Sequence, residues 1–453
     1  MDYRWRALSC LGAGSFLATL DFGAINLALP ALAREFRAPP DTVVWVTLGP
    51  VLVVTGLTLS AGRLGDLFGR KRLYLSGWAL FSAGLIGASL APSLSALVAL
   101  RVLQGLGLSL TLANSNALVV DAFPATQRGR ALGIIAGVVG AGLLSGPVFG
   151  GLVLGALDWR AVFYLRIPLA LAVIVLCSLG VRETARARER GVDVAGTALL
   201  FTGLGCSVLV LNRGHSWGWA SPELALALGG AVAGLALFGW VESRSRSPVL
   251  ALELFRRRSF VVPIASQSLG FIGLSAVNFL MPFYLLQMRG YSEAESGLIV
   301  SVVPLMLLLL APFSGRFADR PGGRHQTTWG LALVSAGLFS LAAVGSDTPV
   351  WSVALRLAFL GLGLAVFGPP NSSQLMGSLP TERLGTASAA IATSRNIGHA
   401  IGLAVTSAVL AGMAPPPGME QDPERLLAGI RAGFGLVAAF SLLAVAISPL
   451  RRG

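Results

Sequence analysis

The chain has 453 residues, 54% of them apolar and 12% charged, with 56 glycines and a formal net charge of +13. That apolar load is too high for a water-soluble domain of this size, which puts the chain in a bilayer. The positive charge would suggest nucleic acid in a soluble protein, so its placement along the chain has to be read first.

Apolar stretches long enough to cross roughly 30 Å of hydrocarbon predict fourteen helices. They fall at 7–30, 41–62, 73–92, 95–119, 131–154, 161–180, 193–212, 224–241, 259–285, 296–314, 327–345, 350–376, 384–411 and 432–449. The runs lack the ten-residue alternation of a closed barrel, the only other structure whose backbone lipid tolerates, so an all-α integral membrane protein is expected. Arg4 and Arg6 precede the first stretch as in a secretory signal. The stretch is too long for a signal's apolar core and no small-residue cleavage site precedes Pro30, so it reads as a retained helix.

An even number of spans puts both termini on one side. On that topology 23 Arg and Lys lie on the side of the termini, 7 on the other, and Arg101, Arg166, Arg356 and Arg395 within spans. The excess marks the cytoplasm. Of the 21 acids, 10 fall on each side and one, Asp21, within a span. The basic surplus therefore follows membrane topology, and no nucleic-acid partner is expected. Cys10, Cys177 and Cys206 all lie in predicted spans and no zinc-type spacing occurs, so neither a disulfide framework nor a metal is expected. Heavy use of Ala, Gly and Arg beside a single lysine, Lys71, points to a GC-rich genome and a bacterial inner membrane.

The chain repeats itself. GRLGDLFGRKR at Gly62 to Arg72 returns as GRFADRPGGRH at Gly315 to His325, 253 residues on, each where an apolar stretch ends. Asn26 to Pro30 (NLALP) matches Asn278 to Pro282 (NFLMP). Arg101 with Gly105 and Gly107 matches Arg356 with Gly361 and Gly363, and Asn114-Ser-Asn116 matches Asn371-Ser-Ser373. Pro124, Gly129 and Ala131 match Pro380, Gly385 and Ala387. Helices 1 to 6 therefore correspond to helices 9 to 14 in parallel orientation. The predicted units are a six-helix bundle over 1–190, a two-helix insert with basic flanks over 191–258, and a second six-helix bundle over 259–453. Parallel repeats of this kind place a substrate site near the midplane between halves that rock.

GRLGDLFGRKR resembles the cytoplasmic signature loop of the major facilitator superfamily, and RVLQGLG (Arg101 to Gly107) resembles its fourth-helix motif. GLLSGPVFGG (Gly142 to Gly151) is similar to the fifth-helix antiporter motif, and LDFGAINLALP (Leu20 to Pro30) to the first-helix motif of the fourteen-helix drug:proton antiporter-2 branch. The resemblance covers essentially the whole chain. It implies a proton-driven exporter of small lipophilic molecules, monomeric, with no cofactor.

Asp21 is the one acid left inside a span, and such residues mark ion or substrate pathways. It lies eight residues before Leu29 at the outer end of helix 1, about 12 Å at 1.5 Å per residue, and Arg101 lies six residues into helix 4, about 9 Å from the same surface. An ion pair between them is feasible, and a proton taken by Asp21 would release Arg101. The bland alternative is a static bridge. The position matching Asp21 in the repeat is Gly273, so symmetry alone did not require an acid here.

Gly142, Gly146, Gly150 and Gly151 let two helices approach closely, and Pro147 removes a helical hydrogen bond and favours a kink. In the loop, Gly62, Gly65 and Gly69 allow a tight turn, Asp66 can accept hydrogen bonds, and Arg70, Lys71 and Arg72 face the anionic inner leaflet. The resemblance implies that this loop latches the halves together. Asp319 is the counterpart of Asp66 in the second copy, where Gly323 replaces Arg70 and should weaken the latch.

Polar side chains that could contact substrate are Asn26, Gln104, Asn114, Asn116, Gln267, Asn278, Asn371, Asn396 and His399, although membrane bundles more often use such groups as interhelical glue. Arg395 and His399, four apart, share a face that could bind an anion, relay protons or reach the interface. Arg166 stands where the family's sixth-helix pattern WRxxFxxNxP carries Asn, and a snorkelling role near the outer surface is expected. No Walker run occurs, so ATP does not drive the chain. One intramembrane acid and one His are too few for a membrane-embedded enzyme. Metabolite uptake by proton symport and a sensor or scaffold without transport are the competing readings, and a pH-dye assay on vesicles separates the last.

Overall fold

The computed structural model describes residues 2–124, 127–183, 193–244, 252–318, 325–378, 384–413 and 422–451. These residues are helical almost throughout. The elements are α1 (Tyr3–Glu35), α2 (Pro40–Val43), α3 (Trp45–Phe68), α4 (Arg70–Ser89), α5 (Leu94–Ala122), α6 (Arg128–Ala156), α7 (Ala161–Tyr164), α8 (Ile167–Gly180) and α9 (Val194–Trp217). They continue as α10 (Pro222–Arg244), α11 (Arg258–Pro282), α12 (Glu293–Val300), α13 (Val302–Ala318), α14 (Gln326–Ala342), α15 (Val350–Gly377), α16 (Leu384–Met413) and α17 (Pro423–Ile447). Several begin on short polar side chains that satisfy the first free amides. Ser93 accepts from Ala96 N, Asp193 from Gly196 N, and Ser292 forms a capping box with Glu295.

A helix occupies each of the fourteen predicted positions, but several stretches expected to be continuous are broken. Helix 2 starts with the single turn α2, helix 6 divides into α7 and α8, and helix 10 into α12 and α13. Pro168 and Pro304 sit in the first turn after a break, where a missing N–H removes no internal bond. The π-helical turn Phe283–Met288 follows Pro282.

Among the described residues twelve helices are long and apolar enough to cross a membrane, not fourteen. The two that fall short are α4, which carries Ser, Gly, Tyr and three basic residues, and α14, at 17 residues. Each lies against neighbours that cover much of its surface: α4 against α5 and α8, and α14 against α15 and α17. A helix covered in this way needs less apolar surface of its own.

The first helices pack as α1 on α6, α3 on α5 and α4 on α5, and the last as α11 on α16, α13 on α15 and α14 on α15, the same pattern twice. Helices α9 and α10 pair with each other, and α9 lies along the seam against both α3 and α16. Asn212 of α9 accepts from Trp45 Nε1 at 2.8 Å and donates to Ser407 at 2.9 Å, so one side chain joins both halves. The seam is also closed by α6 against α12, at the end of the bundle remote from the termini.

Candidate functional site

Three helices of the first half converge on Asp21. Both of its oxygens accept from Arg101 of α5, Nη1 to Oδ1 and Nη2 to Oδ2, each at 3.0 Å. The same Oδ1 accepts from Arg166 Nη1. Asp21 is 1% exposed, Arg101 2% and Arg166 0%, so two guanidiniums face one carboxylate out of reach of bulk water. The cluster carries one net positive charge. Paired burial of this kind is costly to assemble and costlier to break on one side.

The local sequence explains how each arginine is held. Arg101 spends Nε on Val46 O at 2.9 Å and shares Nη1 with Gln104 Oε1, one turn along α5. Arg166 caps the break between α7 and α8. Its backbone N–H turns to Phe163 O at 3.1 Å, and its side-chain Nε takes the carbonyl of Val162 at 2.5 Å. The break that Pro168 favours therefore frees a backbone oxygen and supplies the side chain that satisfies it. Arg166 Nη2 has no hydrogen-bond partner among the described residues, nor has Gln104 Nε2.

Arg166 does not snorkel. The side chain turns inward because Asp21 and the Val162 carbonyl lie there. The departure from the family's Asn at this position was the available signal, and a cation at the depth of a lone acid could have been read as its second partner.

On its other face α1 lies against the glycines of α6. A Cβ at Gly146 would stand 2.9 Å from Gly23 Cα and from Leu20 O, and one at Gly150 2.9 Å from Ala24 Cα and O. At Gly142 it would meet Phe16 O at 2.7 Å. The helix bearing Asp21 is thus clasped backbone to backbone by α6, with Pro147 in the middle. Beyond it, a Cβ at Gly151 would lie 2.3 Å from Glu293 O, and one at Gly297 2.3 Å from Pro147 O. The glycine-rich stretch therefore touches α12 of the second half as well.

In the signature loop, Gly69 adopts φ +106°, a conformation that glycine takes freely. Arg70 bridges Asp66 at 2.7 Å and Asp121 at 2.7 Å. Burial alone would lower its pKa, but the two carboxylates outweigh that and raise it above the ordinary value. The amides of Lys71 and Arg72 donate to Glu183 at 3.0 and 3.2 Å. A Cβ at Gly62 would rest at ordinary contact distance, 3.9 Å, from Ala113 Cβ. These partners all lie in the first half. Asp319 lies outside the described residues.

The remaining polar candidates divide. Asn26 donates to Phe22 O at 2.8 Å and accepts from Thr47 at 3.2 Å. Asn114 donates to Leu110 O at 2.8 Å and presses on Gly65. Asn371 donates to Gln267 at 2.9 Å and Pro263 O at 3.1 Å. Together with Gln104 these groups are buried and engaged with neighbouring helices. Asn116 is exposed, and Asn278, Asn396 and His399 are partly accessible.

The family model of the Major Facilitator Superfamily matches residues 11–403. The chain is 32% identical over 415 residues to the riboflavin transporter RibZ of Clostridioides difficile, covering 91% of this chain and 89% of that one. It is 34% identical over 405 residues to the multidrug resistance protein Stp of Mycobacterium tuberculosis, covering 89% and 75%. In fold it is similar to a bacterial homologue of the human lysosomal transporter Spinster, with TM-score 0.72 at 16% identity, covering 99% and 97%. The relatives named for multidrug resistance accord with the drug:proton antiporter-2 branch. This multi-pass membrane chain belongs to the major facilitator superfamily of transporters.

Proposed function

We propose that the chain is a proton-coupled exporter of small lipophilic molecules, working by alternating access between two six-helix lobes. Its fourteen helices, α4 and α14 among them, all span the inner membrane, with both termini in the cytoplasm, and no enzymatic step is involved. The multidrug-resistance name of one relative supports export, and the observation that carries the coupling is Asp21 held by Arg101 and Arg166.

A carboxylate shared by three helices is a two-state device. While ionised it ties α1 to α5 and to the broken helix α7–α8. Protonation removes the one negative charge and leaves two guanidiniums facing each other, which favours a rearrangement that separates them. Any movement of α1 is passed to α6 through the backbone contacts at Gly142, Gly146 and Gly150, and from α6 to α12 across the seam. Protonation thereby biases how the lobes meet.

The test is a proteoliposome assay of drug-dependent proton flux with a pH dye. The intact chain should move protons against drug, and Asp21→Asn should abolish that exchange while leaving drug binding within about threefold. Export by Asp21→Asn with unchanged proton dependence would end the coupling role.

A further inference from the structure

Among the described residues, the second half contains a cation within a span, Arg395, with no carboxylate to balance it. Arg395 lies on α16 (Leu384–Met413), eleven residues from its start, or about 16 Å along the axis. Its side chain is accessible, and it lies one turn from His399, whose ring meets Phe22 of the first half, so it borders the seam between the halves. Among the described residues it forms no ion pair and no hydrogen bond. The one acid predicted to lie inside a span, Asp21, is already held by two other guanidiniums.

One turn along the same face is His399, whose Nδ1 shares a hydrogen bond of 2.5 Å with Ser275 Oγ. Its ring stands 6.4 Å from Phe22 of the first half, tilted by 31°, and 5.2 Å from Phe271 of the second, edge-on at 70°. Phe22 follows Asp21 in the chain, so the aromatic cluster sits at the same level of α1 as the carboxylate, about 100° around the helix from it. A guanidinium at membrane depth is expensive unless an anion or water balances it, and it donates in a planar fork suited to oxyanions. The adjoining rings offer flat apolar surface to a conjugated body.

We propose that Arg395 and His399, flanked by Phe22 and Phe271, bind an aromatic anion, so that the exported class is planar molecules carrying a carboxylate or phenolate rather than organic cations. This assignment of substrate class rests on the reading of the chain as an exporter. Arg395 takes the oxyanion, His399 offers its free Nε2, and the two phenyl rings hold the conjugated system.

The experiment uses the full chain in nanodiscs for binding and in proteoliposomes for flux. The probes are fluorescein, an anion, and rhodamine 6G, a cation, which share a tricyclic ring. Fluorescein should bind, and Arg395→Gln should weaken it about tenfold or more, whereas Arg395→Lys stays within about threefold. On the unmutated chain benzoate, but not benzamide, should displace fluorescein, which decides the matter even if Arg395→Gln fails to fold. Failure of fluorescein to bind, unchanged affinity in Arg395→Gln, or equal displacement by benzamide overturns the proposal. Gradient-driven movement of rhodamine 6G with no fluorescein binding would remove the anion site and leave proton-coupled export standing. Arg395-dependent fluorescein binding without any response to a pH gradient would do the reverse.

Discussion

The cluster of Asp21, Arg101 and Arg166 makes an unusual demand on a double-mutant cycle, because the order of stabilities follows from counting charges. The intact cluster carries one net positive charge. Asp21→Asn raises it to two, with both guanidiniums buried and facing a neutral amide, and should cost ~3–5 kcal/mol, the usual range for removing one partner of a buried pair. Arg166→Gln lowers the charge to zero. Asp21 keeps both bonds to Arg101 at 3.0 Å, and the main loss is the cap on Val162 O, so about 1–3 kcal/mol is expected. The double variant returns to one positive charge, with Arg101 still bonded to Val46 O and Gln104. It should therefore cost less than the two single variants added together, by ~1–3 kcal/mol. Reversible unfolding in mixed detergent micelles, followed by the fluorescence of the nine tryptophans, measures all three. Additivity within about 0.5 kcal/mol, or Arg166→Gln proving more damaging than Asp21→Asn, would refute the electrostatic account.

Two further outcomes are expected. Gly146→Val places a side chain 2.9 Å from two backbone atoms of α1 and should cost roughly 1–3 kcal/mol and most of the export, whereas Gly137→Ala, on the same helix with open space around it, should be neutral or mildly stabilising; thermal unfolding and drug flux in parallel decide this. Arg70 has a raised pKa, so its contribution is fully present up to the ordinary arginine range and lost only in stronger alkali still; its partly exposed bridges should weaken with salt and not with mild alkali. Arg70→Gln should then cost no more than about 1 kcal/mol per bridge while slowing export, and a large stability loss would contradict this.

Helix positions were legible because lipid imposes a length and a composition on any helix that crosses it, although among the described residues twelve of the fourteen meet that standard. Depth was legible too, since a fixed rise per residue placed Asp21 and Arg101 at one level. Direction around a helix was not. Arg166 turns inward to Asp21 rather than out to the surface, and this was missed because hydropathy does not say whether a polar side chain meets lipid or another helix. Pro168 and Pro304 were visible, but whether a proline bends a span or divides it depends on which neighbour takes the freed carbonyl. For Val162 that neighbour is Arg166's own side chain. The asparagines illustrate a related limit: Asn114 and Asn116 are two residues apart, yet one is spent on Leu110 O and the other is exposed.

Where α6 meets α12, Gly151 lies against Glu293 O and Gly297 against Pro147 O, so at these two points backbone rests on backbone with no side chain between. Dispersion forces between bare peptide groups fade within about an ångström, so such a seal does not stretch. It is shut or it has let go. In the proposed alternating-access cycle such a contact would part as a unit rather than by degrees.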